Sequence, residues 1–465
     1  MSESLGGRLA AIVGERNIQA GDAIDERYRT DMLRKYKAHP AFLVKPGSTE
    51  EVSAIIKLAA AEDVPVTAIG GLTGLVGGAM SADGGIGLSL ERMNRITEID
   101  TLSMTMTVEA GCILQVAHEE AEAKGALLPL DLGARGSAMI GGVIGTNAGG
   151  VRVLRWGMMR DMVIGLEAVL ADGTIVSSLT KMLKDNAGYN WKHLLIGSEG
   201  TLGVVTRAVL RLRPLPTSRQ TALIATETFE KAIAALRRLE VVLSGRLSSF
   251  ELIWGESYAA ITGAQSSQRP PPLALGYGFY AVIEAMGGDE ETDAAQFERA
   301  LGALMEDGVL DDAVIARSER DRQAIWAVRE DQGPILRALM PFSSYDVSIG
   351  IGEMPAFIAV ARANLLRAYP EAAVLVYGHA GDGNLHVVAS IGRLDPDIQR
   401  AFDTAVFDAV RDFGGSIAAE HGVGLSRARY LPWTRSESEL RLMRTLKDAI
   451  DPKDILNRGK VLDAL

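Results

Sequence analysis

Three of the chain's six histidines fall in two short stretches, Gly378-His379-Ala380-Gly381-Asp382-Gly383-Asn384-Leu385-His386 and Glu420-His421-Gly422-Val423-Gly424. Val374 to Tyr377 and Leu385 to Val388 read as strands joined by a short polar turn. In such a hairpin His379 and His386 flank the turn and their imidazoles can share one face. Two convergent imidazoles and one carboxylate suit Zn²⁺ or a similar divalent ion with an open coordination position. Glu420 is the natural third ligand, which leaves its neighbour His421 free to act as a base. Taken singly, each histidine is better read as a hydrogen-bonded structural residue; the combination is what points to metal and base.

The elements that must carry these residues are punctuated clearly. Phe42-Leu43-Val44 reads as a strand, and Ser48-Thr49-Glu50-Glu51-Val52 opens a helix with a cap and early acids. Pro65 to Ile69, Gly87 to Leu90, Thr105 to Glu109 and Leu166 to Leu170 are further strands, the last followed by an Ala171-Asp172-Gly173-Thr174 hairpin turn. The first 35 or so residues look helical and charged. Pro214 and Pro216, followed by polar residues, mark the best domain boundary. Beyond it strands and helices restart, with a surface loop expected from Gln265 to Pro272.

A second group of residues lies upstream. The Pro65–Ile69 strand runs into Gly70-Gly71-Leu72-Thr73-Gly74-Leu75-Val76-Gly77-Gly78. Glycines there let main-chain amides converge on a diphosphate. The spacing of Gly71 and Gly74 breaks the G-x-G-x-x-G dinucleotide fingerprint. Alone, this loop reads equally well as a structural turn. Further glycine-rich turns follow at Gly133-Ala134-Arg135-Gly136-Ser137, at Ile140 to Gly150 and at Ile196 to Val205. Together they suit an extended dinucleotide better than tight packing alone.

The order of these loops resembles the FAD-binding domain of the vanillyl-alcohol oxidase and cresol methylhydroxylase superfamily. More narrowly, the chain is similar to the D-2-hydroxyacid dehydrogenase branch, over about Pro40 to Leu462. The resemblance implies an α+β, two-domain FAD-binding fold whose substrate domain is an antiparallel sheet flanked by helices. It places an FAD-binding domain with its N-terminal appendage at 1–216, a substrate domain with the metal site at 217–424, and a returning segment at 425–465. By it, Gly70, Gly71, Leu72, Thr73, Gly74 and Leu75 cradle the pyrophosphate. Gly133, Ser137, Gly141, Gly142, Thr146, Asn147 and Gly149 line flavin and ribose, and Glu199, Gly200, Gly203, Val204 and Val205 hold the adenine side. Asn457 is expected to reach the flavin. Some relatives attach FAD through a histidine in the first glycine loop; none lies between His39 and His118, so the FAD is expected to be noncovalent.

The implied reaction oxidises a D-2-hydroxy acid to the 2-oxo acid, with hydride transfer to flavin. The family uses His379, His386 and Glu420 as metal ligands. A divalent ion, Zn²⁺ by donor type, can polarise the substrate hydroxyl, and His421 accepts its proton. Asn384 can hydrogen-bond the substrate. Arg329 resembles the family's carboxylate-binding arginine, a role its planar fork suits; read without the family it is an ordinary helix arginine. The chain departs from the D-2-hydroxyglutarate enzymes at two positions. Gly333 and Ser344 stand where those enzymes carry a threonine and a lysine. Losing a cation and a hydroxyl from an anion pocket, beside Met340-Pro341-Phe342, points to a substrate with a neutral or apolar side chain.

Composition sets the outer limits. The chain has 465 residues, 47% hydrophobic and 23% charged, and a formal net charge of −11. That balance is ordinary for a soluble multidomain protein and argues against a nucleic-acid partner. No run approaches the ~18 apolar residues of a membrane helix, and the N-terminus does not read as a signal peptide. The one cysteine, Cys112, rules out an internal disulfide and fits a reducing cytoplasm. A protein or quinone electron acceptor and a homodimer are expected by analogy alone. The competing readings are a D-2-hydroxyglutarate dehydrogenase, a glycolate oxidase flavin subunit, a flavin-dependent alkyl-glycerone-phosphate-type transferase, a metal hydrolase and a non-catalytic flavoprotein subunit.

Overall fold

The computed structural model describes residues 4–265 and 270–462. Of the loop expected over Gln265–Pro272, residues 266–269 lie outside the described part. The backbone forms two compact units: Met1–Gly150, Gly157–Leu215 and Glu420–Leu465 make one, Val151–Trp156 and Pro216–Ala419 the other.

The first unit is built on two small sheets. Strands β1 (Ile18–Ala20), β2 (Phe42–Val44), β3 (Val66–Ile69) and β4 (Ile86–Ser89) are ordered β1-β2-β4-β3. The β2–β4 and β3–β4 pairs are parallel, as a β-helix-β crossover requires. The crossover helix, Thr49–Glu62, starts where the Ser48 hydroxyl accepts the Glu51 N–H, and it ends at Asp63 in the left-handed region. The N-terminal region departs from the helical expectation. Leu5–Val13 is the one α-helix among the described residues there; Gly14, at φ 82°, ends it, the chain returns as β1 along β2, and the rest of the helical character is three single 3-10 turns, Glu15–Asn17, Gly21–Ala23 and Glu26–Tyr28. Strands β5 (Ile96–Asp100), β6 (Thr105–Glu109), β8 (Val163–Val169), β9 (Ile175–Ser178) and β10 (Val204–Arg211) form an antiparallel sheet in the order β5-β6-β10-β8-β9. A short pair joins β7 (Ala126–Leu127) to β11 (Arg213–Pro214).

The second unit is a seven-stranded antiparallel sheet. Its strands are β12 (Ser218–Thr226), β13 (Leu247–Trp254), β14 (Phe279–Gly287), β15 (Asp312–Ile315), β16 (Ser343–Ser348), β17 (Ala373–His379) and β18 (Asn384–Ser390). They are ordered β15-β12-β14-β13-β17-β18-β16. Because side chains alternate across a pleated sheet, register decides which residues share a face. Leu223, Val282, Ile253, Tyr377 and Val388 fall on one face. They pack with Tyr258 and Ile261 of the helix Gly255–Gln265 and with Ile325, Trp326 and Val328 of the helix Glu319–Glu330. Burial of each large apolar side chain stabilises by roughly 1.5–3 kcal/mol. This core anchors the helix that carries Arg329. Further along the same face the row turns polar, with Glu284, Glu251, His379, His386 and Asp346.

Candidate active site

The β17–β18 hairpin sets the histidine geometry. Tyr377 pairs with His386, so His379, two residues beyond Tyr377, shares their face. The turn is closed by Asp382 N–H to His379 C=O at 3.1 Å and by Asn384 N–H to the Asp382 carboxylate at 3.2 Å. Gly383 takes φ 89° there. The two imidazoles stand with ring centroids 5.3 Å apart and planes at 80°, both 6% exposed. Ala419 donates to the Asp346 carbonyl at 3.3 Å, and Glu420 is the next residue. One ligand atom from each of His379, His386 and Glu420 can be chosen so that all three lie within 4.8 Å of one another. His421 Nε2 lies 3.7 Å from Glu420 Oε1.

Each hairpin histidine has a buried carboxylate directly across from it. Glu251 on β13 pairs with His379, and its Oε1 lies 2.7 Å from His379 Nδ1. Asp346 on β16 pairs with His386, with Oδ1 4.0 Å from His386 Nδ1. Glu251 and Asp346 are 1% and 0% exposed. Carboxylates behind metal-ligating imidazoles fix ring orientation and tautomer. With Nδ1–H directed at Glu251, His379 presents the Nε2 lone pair, so the donor set fits a divalent ion.

Arg329 belongs to the same network. Its Nε donates to Glu251 Oε2 at 2.8 Å, its Nη2 lies 3.3 Å from His379 Nε2, and its guanidinium stacks 4.9 Å from the centroid of Tyr377. Asn384 Nδ2 donates to Asp346 Oδ1 at 2.6 Å, while its own Oδ1 is buried without a protein partner. The sequence reading missed Glu251 and Asp346. The available signal was an acid inside an otherwise apolar strand, as in Phe250-Glu251-Leu252-Ile253.

The glycine-rich residues lie in the first unit. The loop after β3 carries Leu72 at φ 58°. Among the described residues, the N–H groups of Gly71, Leu72, Thr73, Gly74 and Leu75 donate to no protein acceptor. Such orphaned donors fit a phosphate-bearing group. Gly141 follows Ala110 so closely that a Cβ would fall 2.8 Å from the Ala110 methyl, whereas Gly133 and Gly142 face open space. Ser137 and Gly133 are exposed on the turn before the helix Ile140–Gly145, whose C-cap is Thr146. Asn147, at φ 49°, accepts the Arg160 N–H at 2.8 Å; Gly149 is buried beyond it.

The second half of the expected cofactor set is tied to protein. The Glu199 carboxylate, with its pKa pushed up by burial, accepts the N–H groups of Val423 and Gly424 at 2.6 and 2.8 Å. Gly200 takes φ 75°, Gly203 precedes β10, and Val204 and Val205 open that strand. Asn457 bonds main-chain groups at three points, accepting from Ala68 N–H at 3.0 Å and donating to the carbonyls of Glu199 and Gly78 at 2.5 and 3.4 Å.

Two family models match the chain: an FAD binding domain over residues 40–178, and the C-terminal domain of FAD linked oxidases over residues 215–461. The D-2-hydroxyglutarate dehydrogenase of Xanthomonas citri pv. viticola is 39% identical, over 94% of this chain and 92% of the relative. The mitochondrial D-2-hydroxyglutarate dehydrogenase of Arabidopsis thaliana is 35% identical, over 97% of this chain and 80% of the relative. Among solved structures, p-cresol methylhydroxylase with substrate bound superposes with TM-score 0.78 at 17% identity, covering 99% of this chain and 96% of that one. An alkyldihydroxyacetonephosphate synthase gives 0.75 at 19%, covering 98% and 85%. These two likenesses establish the fold alone.

Proposed function

Because the chain belongs to the FAD-linked oxidase family, we propose that it is an FAD- and divalent-metal-dependent dehydrogenase of D-2-hydroxy acids. The observation that carries this reading is the His379–His386–Glu420 donor set, both imidazoles buried, with Arg329 beside His379. FAD held noncovalently by the glycine loops would take the hydride from the substrate's C2. A divalent ion on the two imidazoles and Glu420, Zn²⁺ by donor type, would supply Lewis acidity toward the 2-hydroxyl. Arg329 orients the substrate carboxylate through the N–H groups not engaged by Glu251. His421 removes the hydroxyl proton, with Glu420 beside it to orient the ring. Asn384, with one amide N–H committed to Asp346, donates the other to a substrate oxygen.

The side-chain pocket favours a neutral or apolar substrate group. Ser344 shares the face of Asp346, opposite Val388 of the apolar core, so a lysine there would bring a cation to that face. Gly333 opens the helix Gly333–Leu339 with no hydroxyl to offer. The buried Gln332 just before it has an amide nitrogen without a protein acceptor, a neutral donor. The relatives' names favour a second reading, oxidation of D-2-hydroxyglutarate itself.

The test is an anaerobic visible spectrum with D- and L-2-hydroxy acids added in turn. Bleaching of the oxidised-flavin band by D-isomers only, abolished by a chelator and restored by Zn²⁺, is the expected result. Faster bleaching by D-2-hydroxyglutarate than by D-lactate or longer apolar homologues would select the second reading, and a band that no hydroxy acid bleaches would sink both. The proposal extends to a cytoplasmic homodimer that passes electrons to a protein or quinone. No helix among the described residues is long and apolar enough to cross a membrane.

A further inference from the structure

We propose that Glu251 is a positioning residue that couples the divalent-ion site to the substrate-binding arginine; the proposal rests on the metal reading above. Glu251 is 1% exposed, and a carboxylate that deep needs a partner on each oxygen. It has them. Oε1 lies 2.7 Å from His379 Nδ1, and Oε2 accepts from Arg329 Nε at 2.8 Å. The first contact holds the Nδ1–H tautomer, so the lone pair is on Nε2, which accepts from Arg329 Nη2 here and which a divalent ion would take over. The second fixes one edge of the guanidinium and turns the remaining N–H groups away from Glu251, with Tyr377 stacked against the plane. One rigid carboxylate on a central strand therefore sets both the metal ligand and the group that aligns the substrate.

A second buried glutamate in the same sheet serves as the control. Glu284 on β14 is 2% exposed and accepts from Trp326 Nε1 at 3.1 Å and Thr221 Oγ1 at 3.3 Å. Neither histidine nor Arg329 is among its hydrogen-bond partners. A change that merely disturbs a buried acid should act alike at both positions, whereas a positioning role is confined to Glu251.

The test is zinc affinity by competition with a chromophoric chelator on FAD-loaded protein, together with KM for D-lactate. In Glu251→Gln, one amide oxygen cannot accept from both partners, and the NH₂ opposes one of them. Zinc affinity should fall roughly 10–100-fold and KM should rise, with the flavin band intact. Glu284→Gln should keep wild-type zinc affinity. Glu251→Asp keeps the charge but is one methylene too short to reach both partners, so it should lose in zinc affinity, in KM or in both. The proposal is overturned if either Glu251 variant shows wild-type values in both measurements, or if Glu284→Gln weakens zinc as much as Glu251→Gln. A wild-type protein that takes up no stoichiometric zinc would remove the metal reading and this one together.

Discussion

The carbonyl oxygen of Ser137 occupies the space that a Cβ on Gly71 would need: the two atoms would lie 1.9 Å apart. Gly74, three residues later in the same loop, faces open space. The two glycines therefore answer to different demands, Gly71 to the packing of protein on protein and Gly74 to whatever approaches the orphaned N–H groups. Gly71→Ala should destabilise the apoprotein by about 1–3 kcal/mol. Gly74→Ala should melt like the wild-type apoprotein yet bind FAD about tenfold more weakly, roughly 1.4 kcal/mol. Thermal melts of the apoproteins and a flavin fluorescence titration separate the two; wild-type FAD affinity in Gly74→Ala would remove the loop from the cofactor site.

His421 is expected to move a proton and to bind nothing. In His421→Asn, kcat should fall by about 10²–10⁴ while zinc content and the flavin band stay at wild-type levels. Stopped-flow flavin reduction and metal analysis check this. Loss of zinc in the variant would reassign His421 to the ligand set.

Substrate choice is expected to turn on Ser344. Ser344→Lys places a cation two residues from Asp346 on the same sheet face. The ratio of kcat/KM for D-2-hydroxyglutarate to that for D-lactate should rise about tenfold or more, the equivalent of one added charge-assisted hydrogen bond. Gly333→Thr can be combined with it, because the nearest neighbour of a Cβ there is the end of the long Arg337 side chain at 3.0 Å, with Asp331 Oδ1 at an ordinary 3.8 Å. An unchanged ratio in the double variant would place the side-chain pocket elsewhere.

Lys460 gives a pH-dependent prediction. Burial pulls its pKa down to about 8 against the pull of Glu199 in the other direction, and the residue is 3% exposed. Below about 8 the ammonium is charged in folded and unfolded chains alike, and folding bears the full cost of burying it, roughly 3 kcal/mol. Between about 8 and the ordinary lysine value the unfolded chain holds the proton more tightly, so stability rises with pH. Lys460→Met should therefore stabilise the apoprotein at pH 7, and the advantage should shrink toward pH 10. Denaturant unfolding at the two pH values measures it; a pH-independent difference would show that Lys460 keeps an ordinary pKa.

Local features were legible in the sequence because their causes are local. The β17–β18 hairpin follows from two apolar runs around a Gly-Asp-Gly-Asn turn, and the helix after Ser48 follows from its cap. What the sequence hid was set by strand order. His379 and Glu251 are 128 residues apart and meet only because β17 docks beside β13. Asp346 comes to His386 by the same route, through β16 and β18. Arg329 could be singled out only by resemblance, since the carboxylate that holds it lies 78 residues away. The N-terminal region misled because a short amphipathic helix stops at Gly14 and the chain then pairs as a strand, a tertiary outcome that local propensity does not contain.

The bonds of Asn457 join residues made at very different times. Its partner Ala68 precedes it by 389 residues, and Val66 is bonded to Ile455 alongside. At typical elongation rates the β3 edge therefore emerges from the ribosome on the order of tens of seconds before the residues that complete it. The whole seven-stranded sheet is synthesised in that interval and can fold while the first unit still lacks its closing segment. Under the proposed assignment of the glycine loop to the flavin, the strand that leads into that loop gains its last neighbour only when elongation is nearly over.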